Sequence, residues 1–562
     1  MNQKALELAE NFIENEKQFH LGFLPTEQSN PLTRNLDREF ARSSVDGVKN
    51  LQEVDRNVLA MAKRVFSSEE FRKLVADGVN TVLHGGKIVF SGCGATGRLS
   101  ILLECMWRDC CAKNPEAAAY ADHVFSIMTG GDYALVKSVE FFEDYQSFGS
   151  RQVQEADMGS GDMLVAITEG GETSSVLGTV FEALERGSKV FLMFNNPADL
   201  LAEHLERSRR AIRDPRVCVL DLSCGPMALA GSTRMQATTS EQLIAGGALE
   251  SIMTLLLKKT QPDYAADFEK LLDQLETPAA RENIAAYIDF EAEIYRKKGF
   301  VTYFANDFLL DIFTDTTERS PTFMLPPFRK KDDSLSPRPW AFVKNPLLST
   351  PDVWKNGMHR PLRCLNWTPA DYAHMGAPES IQHNPPKIQA EELLKFEVGM
   401  ESPADRAVTG RDAAVLITVG TDQSDPAVFS AFEKMEAPFA FRKRMSVGGT
   451  AGDFVIPCDL PATPLHLMKH MAVKLVLNTV STGTMAVLGR ITGNWMSWVD
   501  ATNKKLIDRA TRLIAEIGGM DYKSACVRLF EAMEAIESTR KQSDEKVSAV
   551  QYALNRLEKG TR

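Results

Sequence analysis

The sequence predicts an α/β protein made of two tandem three-layer α/β/α sandwiches with parallel sheets, joined as a pseudo-dimer and extended by helices at both ends. Three observations carry that expectation. Five strand-length apolar runs alternate with helix-length segments between residues 85 and 222, the rhythm of a parallel sheet wrapped by helices. A weaker copy of the same rhythm recurs in the second half, as an internal duplication would leave it. The chain also runs to 562 residues, too long for a single core.

Taken in order, residues 1–76 read as a helical segment broken by the polar loop Pro25-Thr26-Glu27-Gln28-Ser29-Asn30-Pro31. Residues 77–290 read as the first sandwich, with strands at 88–91, 124–128, 164–168, 190–194 and 217–222, closed by a long helix from Thr238 to about Lys259. Residues 291–505 read as the second, divergent sandwich. Strands fall at 300–304 and 414–418, helices at 308–314 and 425–435, and a long helix at 468–488 matches the one near Thr238. Residues 326–346, with four prolines before the end, and the polar stretch 384–405 read as loops. Residues 506–562 form a charged helical extension broken at Gly518-Gly519, with 538–562 expected as a solvated helix.

Composition excludes several function classes. The 64 basic and 75 acidic residues give a net charge of −11, which argues against a nucleic-acid surface. Nine cysteines without Cys-x-x-Cys spacing argue against zinc and against a disulfide framework. Residues 1–10 lack the basic-then-apolar pattern of a secretion signal, and no run of about 20 apolar residues would span a membrane. The expectation is a cytoplasmic protein with no membrane partner, no metal and no cofactor.

Two glycine loops carry the chemistry. The apolar run at 88–90 leads into Gly92-Cys93-Gly94-Ala95-Thr96-Gly97-Arg98, and Met163-Leu164-Val165-Ala166-Ile167-Thr168 leads into Glu169-Gly170-Gly171-Glu172-Thr173. Glycines turn the backbone tightly and expose N–H groups at helix starts, which suits a phosphate-sized anion. No Gly-Lys-Ser/Thr follows, so neither loop is a P-loop. The first also fails as a dinucleotide fingerprint, because its third glycine comes too soon. In the second half Ala305-Asn306-Asp307 stands where Gly92-Cys93-Gly94 stood, and only Val419-Gly420-Thr421 remains of the other loop. One phosphate site per chain is expected.

Five separated motifs resemble one family. They are Thr26–Pro31 with Leu36-Asp37; the loop at 92–98; Gly225-Pro226 with Gly231-Ser232-Thr233-Arg234; the helical stretch from Lys474 to Gly483; and Asn494 with Ala501-Thr502-Asn503 and Lys505-Leu506. Together they are similar to the sugar isomerase (SIS) domain branch that holds N-acetylmuramic acid 6-phosphate etherase and the glucokinase regulatory protein. The resemblance implies a phosphorylated-sugar ligand held by the N–H groups of Gly94, Ala95 and Gly171, by Thr96, Thr173, Ser232 and Thr233, and by Lys474 from the second half. It also implies that Glu143 and Glu318 are the two site glutamates. Glu318 lies in Glu318-Arg319-Ser320-Pro321-Thr322-Phe323, whereas the first half's Glu104 is two residues short of that motif. The halves thus keep complementary parts, as a monomeric pseudo-dimer with one composite site would.

Some positions depart from the family pattern. Gly170 removes a hydroxyl from the phosphate nest, Glu169 and Glu172 bring charge that opposes a dianion, Met227 replaces a glutamate and Gln236 a lysine. Arg234 is expected to be an ion-pair partner rather than a ligand. The leading expectation is a sensor or regulatory protein that binds an amino-sugar or hexose phosphate and acts on a protein partner such as a sugar kinase. The alternative is a lyase that cleaves the D-lactyl ether of N-acetylmuramic acid 6-phosphate, with Glu143 and Glu318 sharing acid and base work.

Overall fold

The computed structural model describes residues 2–139, 141–401, 406, 409–420, 426–539 and 547–558, and within them ten strands form two five-stranded sheets. The first sheet holds β1 (Ile88–Gly92), β2 (Val124–Met128), β3 (Met163–Ile167), β4 (Lys189–Phe194) and β5 (Val217–Asp221), in the order β2-β1-β3-β4-β5. The second holds β6 (Val301–Phe304), β7 (Ala341–Lys344), β8 (Ala413–Val419), β9 (Phe441–Val447) and β10 (Phe454–Ile456), in the order β7-β6-β8-β9-β10. All pairings are parallel. The two orders coincide strand for strand, so the duplication survives in topology where sequence similarity has faded.

Continuous apolar runs such as Met-Leu-Val-Ala-Ile in β3 need cover on both faces, because successive side chains point to opposite sides. Val89, Leu164, Ala166, Leu192 and Phe194 pack into one core layer; Ile88, Phe90, Val165, Ile167 and Met193 pack into another. That second layer runs on without a break into Val301, Tyr303, Val415 and Ile417 of the other sheet. The two sandwiches therefore share a core. A smaller cluster around Phe304, Leu416 and Phe432 covers the outer face of the second sheet.

Six helices position the site: α1 (Ala95–Lys113), α2 (Ser174–Glu185), α3 (Gln236–Leu256), α4 (Leu309–Phe323), α5 (Leu467–Val487) and α6 (Lys504–Gly518). The helices α3 and α5 are buried around most of their circumference, as expected where a helix lacks a polar face. They cross closely at Gly246, where any β-carbon would lie 2.5 Å from Leu467.

Three expectations need correction. The strand β7 lies inside the stretch read as a loop at 326–346; its four residues are all buried, and the flanking Pro339 and Pro346 are tolerated because β7 is an edge strand. The strands β9 and β10 were not anticipated, since the Arg442-Lys443-Arg444 run in β9 hides its strand character. The last helix, Ala549–Glu558, is not a solvated one, since Val550 and Ala553 are buried; residues 540–546 and 559–562 of that stretch lie outside the described residues. The two ends of the chain also meet. Ala5, Ala9 and Phe12 of the helix Gln3–Asn15 pack against Cys526 and Val527.

Candidate functional site

The site begins where β1 ends. Gly94 caps α1 with φ 58° and ψ −124°, a backbone state essentially reserved for glycine, and a β-carbon there would meet open space. The first N–H groups of α1 therefore open outward. Ala95, the first helical residue, is buried. The Thr96 hydroxyl folds back onto the loop, donating to the Cys93 carbonyl and accepting from the Cys93 N–H, both at 2.9 Å. It shapes the turn rather than reaching outward.

The loop after β3 forms the second wall. Gly171 has φ 81°, and a β-carbon there would fall 2.5 Å from Leu201. Thr173 stands at the N-cap of α2, its hydroxyl accepting from Thr168 at 3.0 Å. Glu172 folds across Gly170, close enough that a β-carbon at 170 would overlap its carboxylate, and pairs with Lys505 of α6. Burial alone would raise the Glu172 pKa, but Lys505 holds it below the usual range. The missing hydroxyl at 170 is thus matched by a carboxylate that brings its own cation, so Glu172 opposes an anion less than its charge suggests.

The second half supplies the facing groups. Glu318 of α4 is 13% exposed and ion-paired with the fully buried Arg98. Arg98 is itself fixed by the carbonyls of Leu135 and Ala134, at 3.0 and 2.9 Å. Lys474 of α5 donates to the Arg234 carbonyl, Thr238 and Asn478 at 2.8–3.0 Å. Burial, with Arg234 nearby, pushes its ammonium down to about 8. Asn478 and Ser481 follow Lys474 at i+4 and i+7, hence on one face, and both donate to Asp315, at 2.9 and 2.7 Å. Arg234 makes its ion pair with that same Asp315 at 3.0 Å.

Carboxylates dominate the centre. Glu143 lies on a short turn of 3-10 helix and accepts from Asn503 at 3.3 Å. Burial pushes the Glu169 carboxyl up to about 7, with Glu318 as its strongest charged neighbour. The Glu241 carboxyl, buried and next to Glu169, is raised well above its ordinary value. Burial, with Glu143 beside it, pushes the Cys93 thiol up, which disqualifies it as a nucleophile. Glu169 thus feels Glu318, and Glu143 and Glu169 both bear on Cys93 in the loop that leads to Gly94. Buried polar atoms without a hydrogen-bond partner cluster here too: Glu172 Oε2, Glu241 Oε2, Asn195 Oδ1 and Arg234 Nε. Such atoms are costly unless something binds them.

Ser232 is buried beside this centre, while Thr233 is partly exposed and its carbonyl accepts from Thr238. Neither is the cap of α3; that position is Met235. Gln236 ties down its own loop, accepting from the Ala228 N–H and donating to the Pro226 carbonyl. The remaining motifs are scaffolding. Asn30 donates to the Pro226 carbonyl at 2.8 Å, Asn494 to Asn30 and Thr33, and Arg509 and Arg512 clamp the buried Glu27. Residues from the beginning, middle and end of the chain thereby form one floor beneath the glycine loops.

Sequence reasoning placed Glu143, Glu318 and Lys474 at one site; Glu318 pairs with Arg98 of the first loop, Glu143 bears on Cys93 of that loop, and Lys474 sits against Arg234 and Thr238. It missed Arg98, Asp315 and Lys505, which position those groups. Arg98 and Lys505 stood inside quoted motifs and Asp315 three residues before one, but an ion pair between halves cannot be read from either half alone. Among the described residues, no group of His, Cys, Asp and Glu has metal-site geometry, and no helix is long and apolar enough to cross a membrane.

Comparison with known proteins adds names to this geometry. Residues 70–184 match the family model of the glucokinase regulatory protein N-terminal SIS domain. An N-acetylmuramic acid 6-phosphate etherase of Pseudothermotoga lettingae is 30% identical over 282 residues, covering 50% of this chain and 86% of that protein. N-acetylmuramic acid 6-phosphate etherase 1 of Bacillus licheniformis is 26% identical over 262 residues, covering 47% of this chain and 79% of the relative. Among solved structures, tagatose-6-phosphate ketose/aldose isomerase from Escherichia coli aligns with a TM-score of 0.43 and 9% identity, over 79% of this chain and 93% of that one.

Proposed function

Because the chain belongs to the SIS-domain family of the N-acetylmuramic acid 6-phosphate etherases, we propose that it is a carbon–oxygen lyase acting on the D-lactyl ether of a phosphorylated amino sugar, from one composite site between its halves. What supports this reading is that glutamates from opposite halves border the Gly94 loop: Glu143 bears on the Cys93 thiol, while Glu318 pairs with Arg98 and bears on Glu169. The phosphate sits on the N–H groups of Gly94, Ala95 and Gly171, with Lys474 meeting it from the second half.

In the open-chain aldehyde, Glu318 removes the proton from the carbon next to the carbonyl. Arg98 occupies one of its oxygens and aims the other. The C–H electron pair forms a carbon–carbon double bond, the ether C–O bond breaks, and the lactyl oxygen takes a proton from Glu143. Water then adds across the double bond, leaving a hydroxyl where lactate departed. The residues supply all of this acid–base chemistry, and the cytoplasm is the compartment proposed for it.

The sensor reading remains the second one, favoured by the match to the regulatory-protein model and by the Glu172 carboxylate lying over Gly170 in the nest. A sensor would show stabilisation by RT ln(1 + [L]/Kd) without turnover, and a ligand-dependent protein partner such as a sugar kinase. The deciding experiment is D-lactate release from N-acetylmuramic acid 6-phosphate by the wild-type protein, Glu143→Gln and Glu318→Gln. The lyase reading expects release by the wild type and a loss of about 10³-fold or more in both variants, within the range for removing an acid–base group. No release by a folded wild type that a sugar phosphate stabilises would hand the function to the sensor reading.

A further inference from the structure

The pseudo-dimer has a second pole. Applying the same strand correspondence, the position that mirrors the site lies beyond the ends of β6 and β8, and a cavity of about 490 Å³ is found there. It is walled by the start of α4, the start of α5 and the C-terminal half of α1. It has lost the features of the first site. Asp307 replaces Gly94, and Glu104 is drawn away into ion pairs with Arg108, Arg360 and Arg363. A merely decayed site would be expected to fill with apolar side chains. This one stays open and keeps charged and amide groups, among them Asp109, Asp311, Asn345 and Lys469, beside its apolar lining.

The charges in the cavity are arranged, not scattered. Asp109 is balanced by Lys113 at 2.9 Å and faces His359 at 3.2 Å, and Asp311 is paired with His470 at 2.8 Å. Three groups are left unmatched among the described residues. The Lys469 ammonium has no acidic partner, Asp311 Oδ1 is buried without a hydrogen bond, and His466 Nδ1 is likewise unpartnered. Asp311 is 5% exposed, so this unmet acceptor is sequestered from bulk water and costs stability as it stands. The first turn of α4 also lacks a side-chain cap, leaving N–H donors beside it. The N-terminus of α5 does not contribute, because Glu250 accepts from Leu465 and Leu467 there.

We infer that this cavity is a second binding site, for a small hydroxylated anion of sugar-acid or sugar-phosphate size. Its acid group meets Lys469 and the first turn of α4, and its hydroxyls meet Asp311 Oδ1 and His466 Nδ1. The site is distinct from the one between Gly94 and Lys474 and does not depend on what that site does. The two are nevertheless joined by three helices. The helix α1, capped by Gly94, lines the cavity with Cys105, Met106 and Asp109; α4 carries both Asp311 and Glu318, and α5 carries both His470 and Lys474. At 1.5 Å rise per residue the last two spans are about 10 and about 6 Å. A ligand in the cavity therefore bears on the helices that carry the facing groups of the first site, and any coupling is reciprocal.

The test is calorimetric titration of the full chain with four probes: glucosamine 6-phosphate, 6-phosphogluconate, gluconate and inorganic phosphate. Wild type, Lys469→Met, Asp311→Asn and Lys474→Met are compared. The expected result is at least one probe with a binding event that weakens tenfold or more in Lys469→Met, weakens in Asp311→Asn, and survives in Lys474→Met. Among the described residues Lys469 has no acidic partner to lose, so its replacement is expected to leave the fold intact, which the unfolding transition of the variant checks. The assignment is overturned if no probe shows binding that responds to Lys469→Met, or if every event disappears in Lys474→Met. The proposed lyase fails separately, by the absence of D-lactate release.

Discussion

The loops that follow β1 and β6 descend from one pattern and do different things. After β1, Gly94 takes a conformation open to glycine alone and leaves the N–H groups of α1 facing outward. After β6, Phe308 at φ 56° and ψ 25° starts α4 one residue later, its ring edge-on to His470 at 4.7 Å, and Asp307 occupies the place of Gly94. After β3 and β8 a glycine with left-handed backbone remains in both halves, Gly171 at φ 81° and Gly420 at φ 85°. The second half has thus retained a left-handed glycine after β8 and given up the counterpart of the glycine that opens the first turn of α1. Packing constrains a turn even where the loop beside it has changed its use.

This comparison can be broken most sharply by the two retained glycines. Gly171→Ala puts a β-carbon 2.5 Å from Leu201, whereas among the described residues Gly420→Ala meets the flexible tip of Lys469 at 3.6 Å and nothing nearer. Thermal or denaturant unfolding should show a loss of about 2–4 kcal/mol for the first, combining left-handed strain with overpacking, and about 1 kcal/mol for the second, from strain alone. Equal losses would mean that the two turns are held by the same forces after all.

A smaller effect separates the site from its mirror image by pH. Lys474 is pushed down to about 8, so its charge is lost just above neutrality. Sugar-phosphate affinity at the first site should fall about tenfold between pH 7 and pH 9, following the protonated fraction. In Lys474→Met it should start low and stay flat; a slope that persists in this variant would place the titrating group elsewhere.

The smallest effect is on stability. The Glu169 carboxyl is raised to about 7 in the folded chain, so the native state holds a proton that the unfolded chain has released between roughly pH 4.5 and 7. Stability therefore declines as pH rises through that window, and the full cost is present above it. Glu169→Gln should gain about 1–2 kcal/mol over wild type at pH 8, allowing for its partial exposure, and the gain should vanish towards pH 5. A constant difference at both pH values would show that packing, not ionisation, is responsible.

Much of this architecture was legible beforehand because buried parallel strands cannot avoid continuous apolar runs. The five strands of the first sheet fall within a residue of their expected places for that reason. The strands β7 and β9 were not legible, because one lies among prolines at an edge and the other opens on three consecutive cations. In the site, glycine loops announced themselves through backbone demands that only glycine meets. Arg98, Asp315 and Lys505 did not, since an arginine destined for a glutamate 220 residues away looks like any other arginine.

The helices Tyr264–Leu275 and Pro278–Arg296 join the two sandwiches in one covalent chain, and this alters how the site responds to its surroundings. A site assembled from two separate subunits empties on dilution, and any substitution appears in it twice. Here Glu143 and Glu318 are tethered, so the meeting of the halves is intramolecular, governed by an effective concentration rather than by how much protein is present. Activity per chain should then be independent of protein concentration, and each half has been free to drift without dragging its twin along.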